Sequence, residues 1–210
     1  MSIAAPDPKS DDSKPDDRNS SDPKSALRRQ ALDRRRDVDA ATRAALSARL
    51  AAVGLAWAQR WRPRAVAAFS PIRDEPDSRP LLAALQAHGF ATALPVASGR
   101  SAPLAFRLWR AGEPLARGAL GVGEPGAAAP LVDPDLLFVP LAVFDRRGHR
   151  IGFGAGHYDR TLERLRALKP IIAVGVGYGV SEVDAVPDEP HDEPLDYILT
   201  DSELIETKAR

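Results

Sequence analysis

The chain has 210 residues, 44% of them hydrophobic, which is enough for one packed domain without covalent staples. It contains no cysteine, which excludes disulfides, thiolate metal sites and cysteine nucleophiles. Lys plus Arg and Asp plus Glu both total 29, so no net charge draws the chain as a whole toward nucleic acid.

Residues 1–23 combine Asp7, Asp11, Asp12, Asp16, Asp17 and Asp22 with prolines and serines and no aromatic residue. Such a segment buries too little apolar surface to offset its ordering entropy, and a disordered acidic tail is expected there. Residues 24–210 then read as a single α/β domain. Lys24 to Arg36 predicts a short basic helix. Asp39 can cap a second helix, in which Leu46, Leu50, Val53 and Trp57 form one apolar stripe and Pro63 ends the run. Gly54 reads as a mild blemish in it.

Residues 65–70 predict a buried strand, followed by the loop 71–77. Ser78 and Pro80 start a helix that Gly89 closes. Strands are predicted over 90–96, over 104–109 as an edge or hairpin strand, over 136–140, over 171–176 and over 197–199, with an irregular connection over 111–130 and a helix over 161–168. Strands that alternate with helices and are apolar throughout predict a three-layer α/β/α sandwich around a mostly parallel sheet, with an N-terminal helical arm.

Between the strand at 136–140 and the next helix lies Arg150-Ile-Gly-Phe-Gly-Ala-Gly-His-Tyr-Asp159. Alternating Gly152, Gly154 and Gly156 let backbone amides converge on one point. A following helix N-terminus adds free N–H groups suited to phosphate oxygens. Arg146, Arg147 and Arg150 place positive charge nearby, and Asp159 beside a phosphate makes sense if it holds Mg²⁺. The spacing is neither that of a P-loop nor that of the dinucleotide fingerprint, so phosphate binding and a plain strand-to-helix turn both remain open from spacing alone.

The run Phe138-Val-Pro-Leu-Ala-Val-Phe-Asp-Arg-Arg-Gly-His-Arg-Ile-Gly-Phe-Gly-Ala-Gly-His-Tyr-Asp159 resembles the signature of the 5-formyltetrahydrofolate cyclo-ligase family. Lys24 and Arg28 match the family's N-terminal Lys-x-x-x-Arg, Glu75, Asp77 and Ser78 match its Glu-x-Asp/Glu-Thr loop, and Asp192 matches its C-terminal acid. The resemblance spans about residues 24–201. Leu141, Ala155 and His157 depart from the family's usual residues.

This resemblance implies ATP-dependent closure of 5-formyltetrahydrofolate to 5,10-methenyltetrahydrofolate through a phosphorylated formyl (iminium phosphate) intermediate, with release of ADP and phosphate. It implies catalytic roles for Lys24, Arg28 and Arg150. It implies ATP contacts from Lys24, Ser25, Ala26, Leu27 and Arg28, and from Arg150, Ile151, Gly152, Phe153, Gly154, Ala155, Gly156, His157 and Tyr158. It places Arg28, Ile72, Glu75 and Asp77 at the folate, and Asp159 and Asp192 at Mg²⁺. Phe106 and Trp109 suit either a pterin pocket or strand packing, and His88 and His191 lack partners at metal-ligand spacing.

Two other readings compete. One is an RNA-binding protein that grips through the arginine-rich helix 24–36, although that helix has no stacking aromatic residue. The other is a sugar-phosphate or acyl-CoA enzyme on a similar fold. No segment reaches the ~20 apolar residues of a membrane helix, and the first residues lack a signal-peptide pattern. A cytoplasmic enzyme is expected, monomeric or weakly homodimeric, with a small-molecule substrate and neither nucleic acid nor membrane as a partner.

Overall fold

The computed structural model describes residues 22–99 and 101–207. The predicted tail, up to residue 21, lies outside the described residues. Its last two positions do not belong to a tail. Pro23 opens helix α1 (Pro23–Arg36), and Asp22 caps it, its carboxylate accepting from the Lys24 N–H at 3.1 Å and the Ser25 hydroxyl at 3.0 Å.

Helix α2 (Ala40–Trp61) is capped by Asp39 and ends at Arg62, in a left-handed conformation just before Pro63. Strand β1 (Val66–Ala67), helix α3 (Arg79–Ala87), β2 (Thr92–Val96) and β3 (Ala105–Leu108) follow. Ser78 precedes α3 but does not cap it through its side chain; its hydroxyl donates to the Phe69 carbonyl instead. Residues 111–130, expected to be irregular, contain an antiparallel hairpin of β4 (Leu115–Arg117) and β5 (Gly123–Pro125). Next come β6 (Leu136–Pro140), a second hairpin of β7 (Val143–Phe144) and β8 (Arg150–Ile151), α4 (His157–Leu168), β9 (Ile172–Val176), β10 (Tyr197–Leu199) and an unforeseen edge strand, β11 (Leu204–Glu206).

Seven strands form the main sheet in the order β11-β10-β9-β6-β1-β2-β3. The five central strands are parallel; β3 and β11 pair antiparallel at the edges. The two-residue period of the strands sends alternate side chains to opposite faces. Val66, Leu94, Leu136, Phe138, Val174 and Leu199 pack against α2 and α3, whereas Ala67, Ala93, Leu137, Val139, Ala173 and Ile198 pack against α4. Both faces are covered, so the central strands are apolar at every position.

Gly54 is no blemish. A Cβ there would stand 2.4 Å from Leu81 Cδ1 and 3.0 Å from Phe138 Cζ, so its absence sets how closely α2 approaches α3 and the sheet. Leu141 is accommodated in a similar way. Its methyls fill space that a side chain on Gly175 or Gly177 of the adjoining strand would need, at 2.7 and 2.3 Å.

Strand β1 leads through α3 to β2 on one side, and β6 leads through α4 to β9 on the other. Neighbouring strands whose connections depart in opposite directions leave a crevice beyond their C-terminal ends, the usual ligand position in open α/β sheets.

Candidate active site

A cleft of about 720 Å³ occupies that crevice, within the size range of small-molecule sites. Its floor comes from strand ends: Phe69 and Ser70 after β1, Pro95 and Ala97 at β2, and Pro140 at β6.

The turn from β7 to β8 delivers the glycine loop. Asp145 is fully buried and fastens this turn, accepting the backbone N–H groups of Arg147 at 2.9 Å, His149 at 3.3 Å and Val186 at 2.9 Å. Arg147 binds that same carboxylate at 2.7 Å, and Arg146 pairs with Glu182 and Glu203. Neither arginine lines the cleft, contrary to their expected place near the loop, because nearby acids hold both. Arg150 does line it, with a side chain only 5% exposed. Its guanidinium donates to Asp159 at 2.8 Å and to the Glu193 carbonyl at 2.5 Å. Burial lowers the Arg150 pKa from the ordinary arginine value, against the pull of Asp159 and Asp192.

Arg150 to Asp159 line one wall of the cleft without a gap. Gly154 and Gly156 have φ of +97° and +59°, in the left-handed region that glycine adopts without penalty. Gly154 also leaves room for α1: the Arg28 guanidinium lies 3.4 Å from where a Cβ would be, and Arg28 Nε donates to the Gly152 carbonyl at 2.7 Å. Helix α4 begins at His157, four residues earlier than expected, so Asp159 stands in its first turn. His157 Nδ1 meets the Ala102 carbonyl at 2.9 Å, leaving Nε2 buried without a partner.

Helix α1 brings Lys24 and Arg28, one turn apart on the same face, to the cleft. Ser25, Ala26 and Leu27 fall on other faces and do not line it; Leu27 packs instead into a small cluster with Ala142, Val143 and Ile151. Lys24 Nζ lies 2.7 Å from Asp192 Oδ2 and 3.6 Å from Glu189. Burial opposes the charge on both partners, yet their contact prevails, raising the Lys24 pKa and lowering that of Asp192.

The loop after β1 separates the two expected acids. Ile72 and Glu75 line the cleft. Glu75 is 7% exposed; its Oε2 accepts the Ile72 N–H at 2.8 Å, and its Oε1 has no partner. Burial pushes its carboxyl up to about 7 despite the nearby Arg35. Burial also raises the Tyr158 pKa, and the neighbouring Glu75 adds to the rise. Asp77 faces elsewhere. It holds Arg79 through Nε at 2.8 Å and Nη2 at 2.7 Å, which lowers its pKa, and it is not part of the cleft wall. Phe106 is buried in the core and Trp109 Nε1 donates to the Glu113 carbonyl, so neither lines the cleft.

His191, assigned no role from sequence, does line the cleft, as does Glu124 of β5. Asp159 and Asp192 both act on Arg150, so they share one end of the cleft. No group of three or more His, Cys, Asp or Glu side chains is placed to hold a metal among the described residues.

Residues 20–201 match the family described as the 5-formyltetrahydrofolate cyclo-ligase family. The chain belongs to that family. Among curated relatives, the 5-formyltetrahydrofolate cyclo-ligase of Mycolicibacterium smegmatis is 35% identical over 185 residues, covering 84% of this chain and 93% of the relative. The cyclo-ligase of Escherichia coli K12 is 34% identical over 146 residues, covering 67% of this chain and 80% of the relative. The NMR structure of Aquifex aeolicus 5,10-methenyltetrahydrofolate synthetase superposes with a TM-score of 0.75 at 28% identity, covering 89% of this chain and 94% of that one. A Mycoplasma pneumoniae 5,10-methenyltetrahydrofolate synthetase, at 22% identity and a TM-score of 0.68, shares the fold; it covers 85% of this chain and 99% of that one.

Proposed function

We propose that the protein uses ATP to close 5-formyltetrahydrofolate to 5,10-methenyltetrahydrofolate, releasing ADP and phosphate. The observation that carries this reading is that one cleft joins a cationic glycine loop to a buried, unsatisfied carboxylate. Lys24, Arg28 and Arg150 meet the loop there, and Glu75 offers a free acceptor oxygen.

A formamide oxygen leaves poorly from carbon. Its attack on the γ-phosphorus, with ADP departing, converts it into an iminium phosphate. N10 then attacks the formyl carbon, phosphate leaves, and N10 loses its proton. Phosphoryl transfer of this kind needs positioning and charge neutralisation more than a protein nucleophile. Lys24 and Arg28 supply charge from α1, loop N–H groups face the phosphates, and Arg150 fixes Asp159 and the 193 segment. Glu75 and Ile72 serve the folate. Asp77 is left out of this set because its carboxylate is spent on Arg79.

Asp159 and Asp192 do not make a stand-alone metal cage. They fit an ion that takes its remaining ligands from phosphates and water, as Mg²⁺ does. The Lys24 ammonium already occupies one Asp192 oxygen as a cation. Mg²⁺ bound there with ATP would neutralise phosphate charge.

We infer a cytoplasmic setting and a monomer or weak dimer. Of the five arginines of α1, Arg28 reaches the glycine loop, Arg35 is buried with its guanidinium 5.9 Å from the Phe153 ring, and Arg36 pairs with Asp33, which leaves Arg29 and Arg34, both exposed, and favours the cleft over an RNA-binding stripe. No helix of the described residues is long and apolar enough to cross a membrane. The test is ADP release by the purified protein in Mg²⁺ and ATP, with and without 5-formyltetrahydrofolate. Release that depends on the folate is expected; release indifferent to it contradicts the proposal.

A further inference from the structure

Glu124 is a buried acid that the reaction as described leaves without a task. It is 9% exposed and lines the cleft from the β4–β5 hairpin. Its Oε1 accepts the Ala97 N–H at 3.2 Å. No Lys, Arg or His pairs with it, and no other donor reaches its carboxylate among the described residues. A carboxylate offers about four acceptor positions, and Ala97 takes only one; Oε2 has no protein donor and stays accessible from the cleft.

The hairpin is shaped to hold it. A Cβ on Gly118 would stand 1.9 Å from Glu124 Cδ and 2.1 Å from Oε1, so a side chain there would push the carboxylate out of this position. The cleft wall on the β2 and hairpin side is largely apolar, with Pro95 of β2, Ala97 just beyond it, Leu104 before β3, and Leu120 and Val122 between β4 and β5; Ser70 is its polar member. The cleft's cations come from α1, the glycine loop and Arg73 in the loop after β1. A flat heterocycle with paired donors on one edge suits an apolar slot of this kind with an acid in its wall.

We propose that Glu124 determines specificity for the folate, accepting the N3–H and 2-amino hydrogens of the pterin ring. This rests on the cyclo-ligase reading and names the residue that reads the ring. The two ring donors lie side by side and point the same way, as a carboxylate requires. Adenine is a poorer match, since its 6-amino donor adjoins a ring nitrogen that is itself an acceptor and would face the carboxylate with like polarity. Glu75 is less suited to this edge, because a carboxyl pushed to about 7 is half protonated at neutral pH. Its free Oε1 remains for the ring's other donors.

The test is Glu124→Gln. The amide oxygen can keep the Ala97 contact, while the amide N–H₂ meets the ring donors head to head. KM for 5-formyltetrahydrofolate should rise by on the order of ten- to a hundredfold, with KM for ATP and the melting temperature little changed. Calorimetric binding of 5-formyltetrahydrofolate without ATP should weaken by the same factor. The wild type should also discriminate against a 2-desamino analogue by about tenfold or more, and Glu124→Gln should erase that preference. An unchanged folate KM and folate affinity in the variant overturns the proposal. A wild type that binds both ligands equally overturns it without any variant. Both results differ from failure of the cyclo-ligase reading itself, in which the wild type forms no ATP-dependent product.

Discussion

Glu75→Gln should stabilise the protein at alkaline pH and hardly at all in acid. The Glu75 carboxyl rises from 4.5 to about 7 because burial strips it of water, and that rise is already net of the pull of Arg35. A carboxyl raised in the fold is more easily kept protonated there than in the unfolded chain. Its ionisation therefore costs nothing extra below pH 4.5, and the cost grows as pH climbs through about 7. At ~1.4 kcal/mol per pKa unit, the penalty levels off near ~3 kcal/mol above pH 8 and is under ~0.5 kcal/mol at pH 4.5. A neutral glutamine of the same shape escapes it. For a domain of this size, ~3 kcal/mol corresponds to roughly 6–12 °C in melting temperature. Thermal melts of both proteins from pH 4.5 to 8.5 measure the difference directly. Parallel curves, or a variant less stable than wild type at pH 8, would show that burial does not penalise the ionised Glu75.

Gly54→Ala weighs two opposed effects: alanine gains up to ~1 kcal/mol in helix propensity, while the added methyl, 2.4 Å from Leu81, overpacks the α2–α3 contact at a cost of ~1–3 kcal/mol. Net destabilisation should appear as a lower urea midpoint, and a raised midpoint would show that the helices slide apart freely. Asp145→Ala strips three backbone N–H groups of their acceptor in a buried turn and should cost ~3 kcal/mol or more; denaturant unfolding checks it, and a loss under ~1 kcal/mol would mean that water replaces the carboxylate. Lys24→Met should raise the KM for ATP by about tenfold or more and destabilise the fold by ~1 kcal/mol or more, because Asp192, only 16% exposed, loses its cation. An unchanged ATP KM removes Lys24 from the phosphate site. Asp159→Asn should raise the Mg²⁺ concentration needed for half-maximal rate and also lower the melting temperature, because the buried Arg150 guanidinium loses its carboxylate partner; identical Mg²⁺ dependence in the folded variant refutes its role.

The central architecture was legible because burial on both faces demands unbroken apolar runs, as in Leu136–Pro140 and Ile172–Val176. Strands β7, β8, β4, β5 and β11 escaped notice for the opposite reason: two or three residues cannot show a period, and Gly123-Glu-Pro125 looks like a turn. The site was legible where it lies on a regular element, since the helical spacing of Lys24 and Arg28 already puts them on one face. It was not legible in the loop after β1, where no periodicity tells which of Glu75 and Asp77 turns inward; Arg79, two residues beyond Asp77, decides it. Arg146 and Arg147 looked like loop charges, but acids distant in sequence, Glu182, Glu203 and Asp188, draw them away. Glu124 gave no signal at all, because its burial depends on a hairpin folding over Gly118. The strict requirement for Gly54 likewise appears only once Leu81 and Phe138 stand across from it.

Product formation is the most direct measurement of the proposed activity. Purified protein is mixed with 5-formyltetrahydrofolate, ATP and Mg²⁺, and the absorbance of 5,10-methenyltetrahydrofolate is followed alongside phosphate release. Methenyl product should form in an amount equal to the phosphate released, and none should form when ATP is omitted. Absence of ATP-dependent methenyl product from folded protein would rule out the proposed cyclisation.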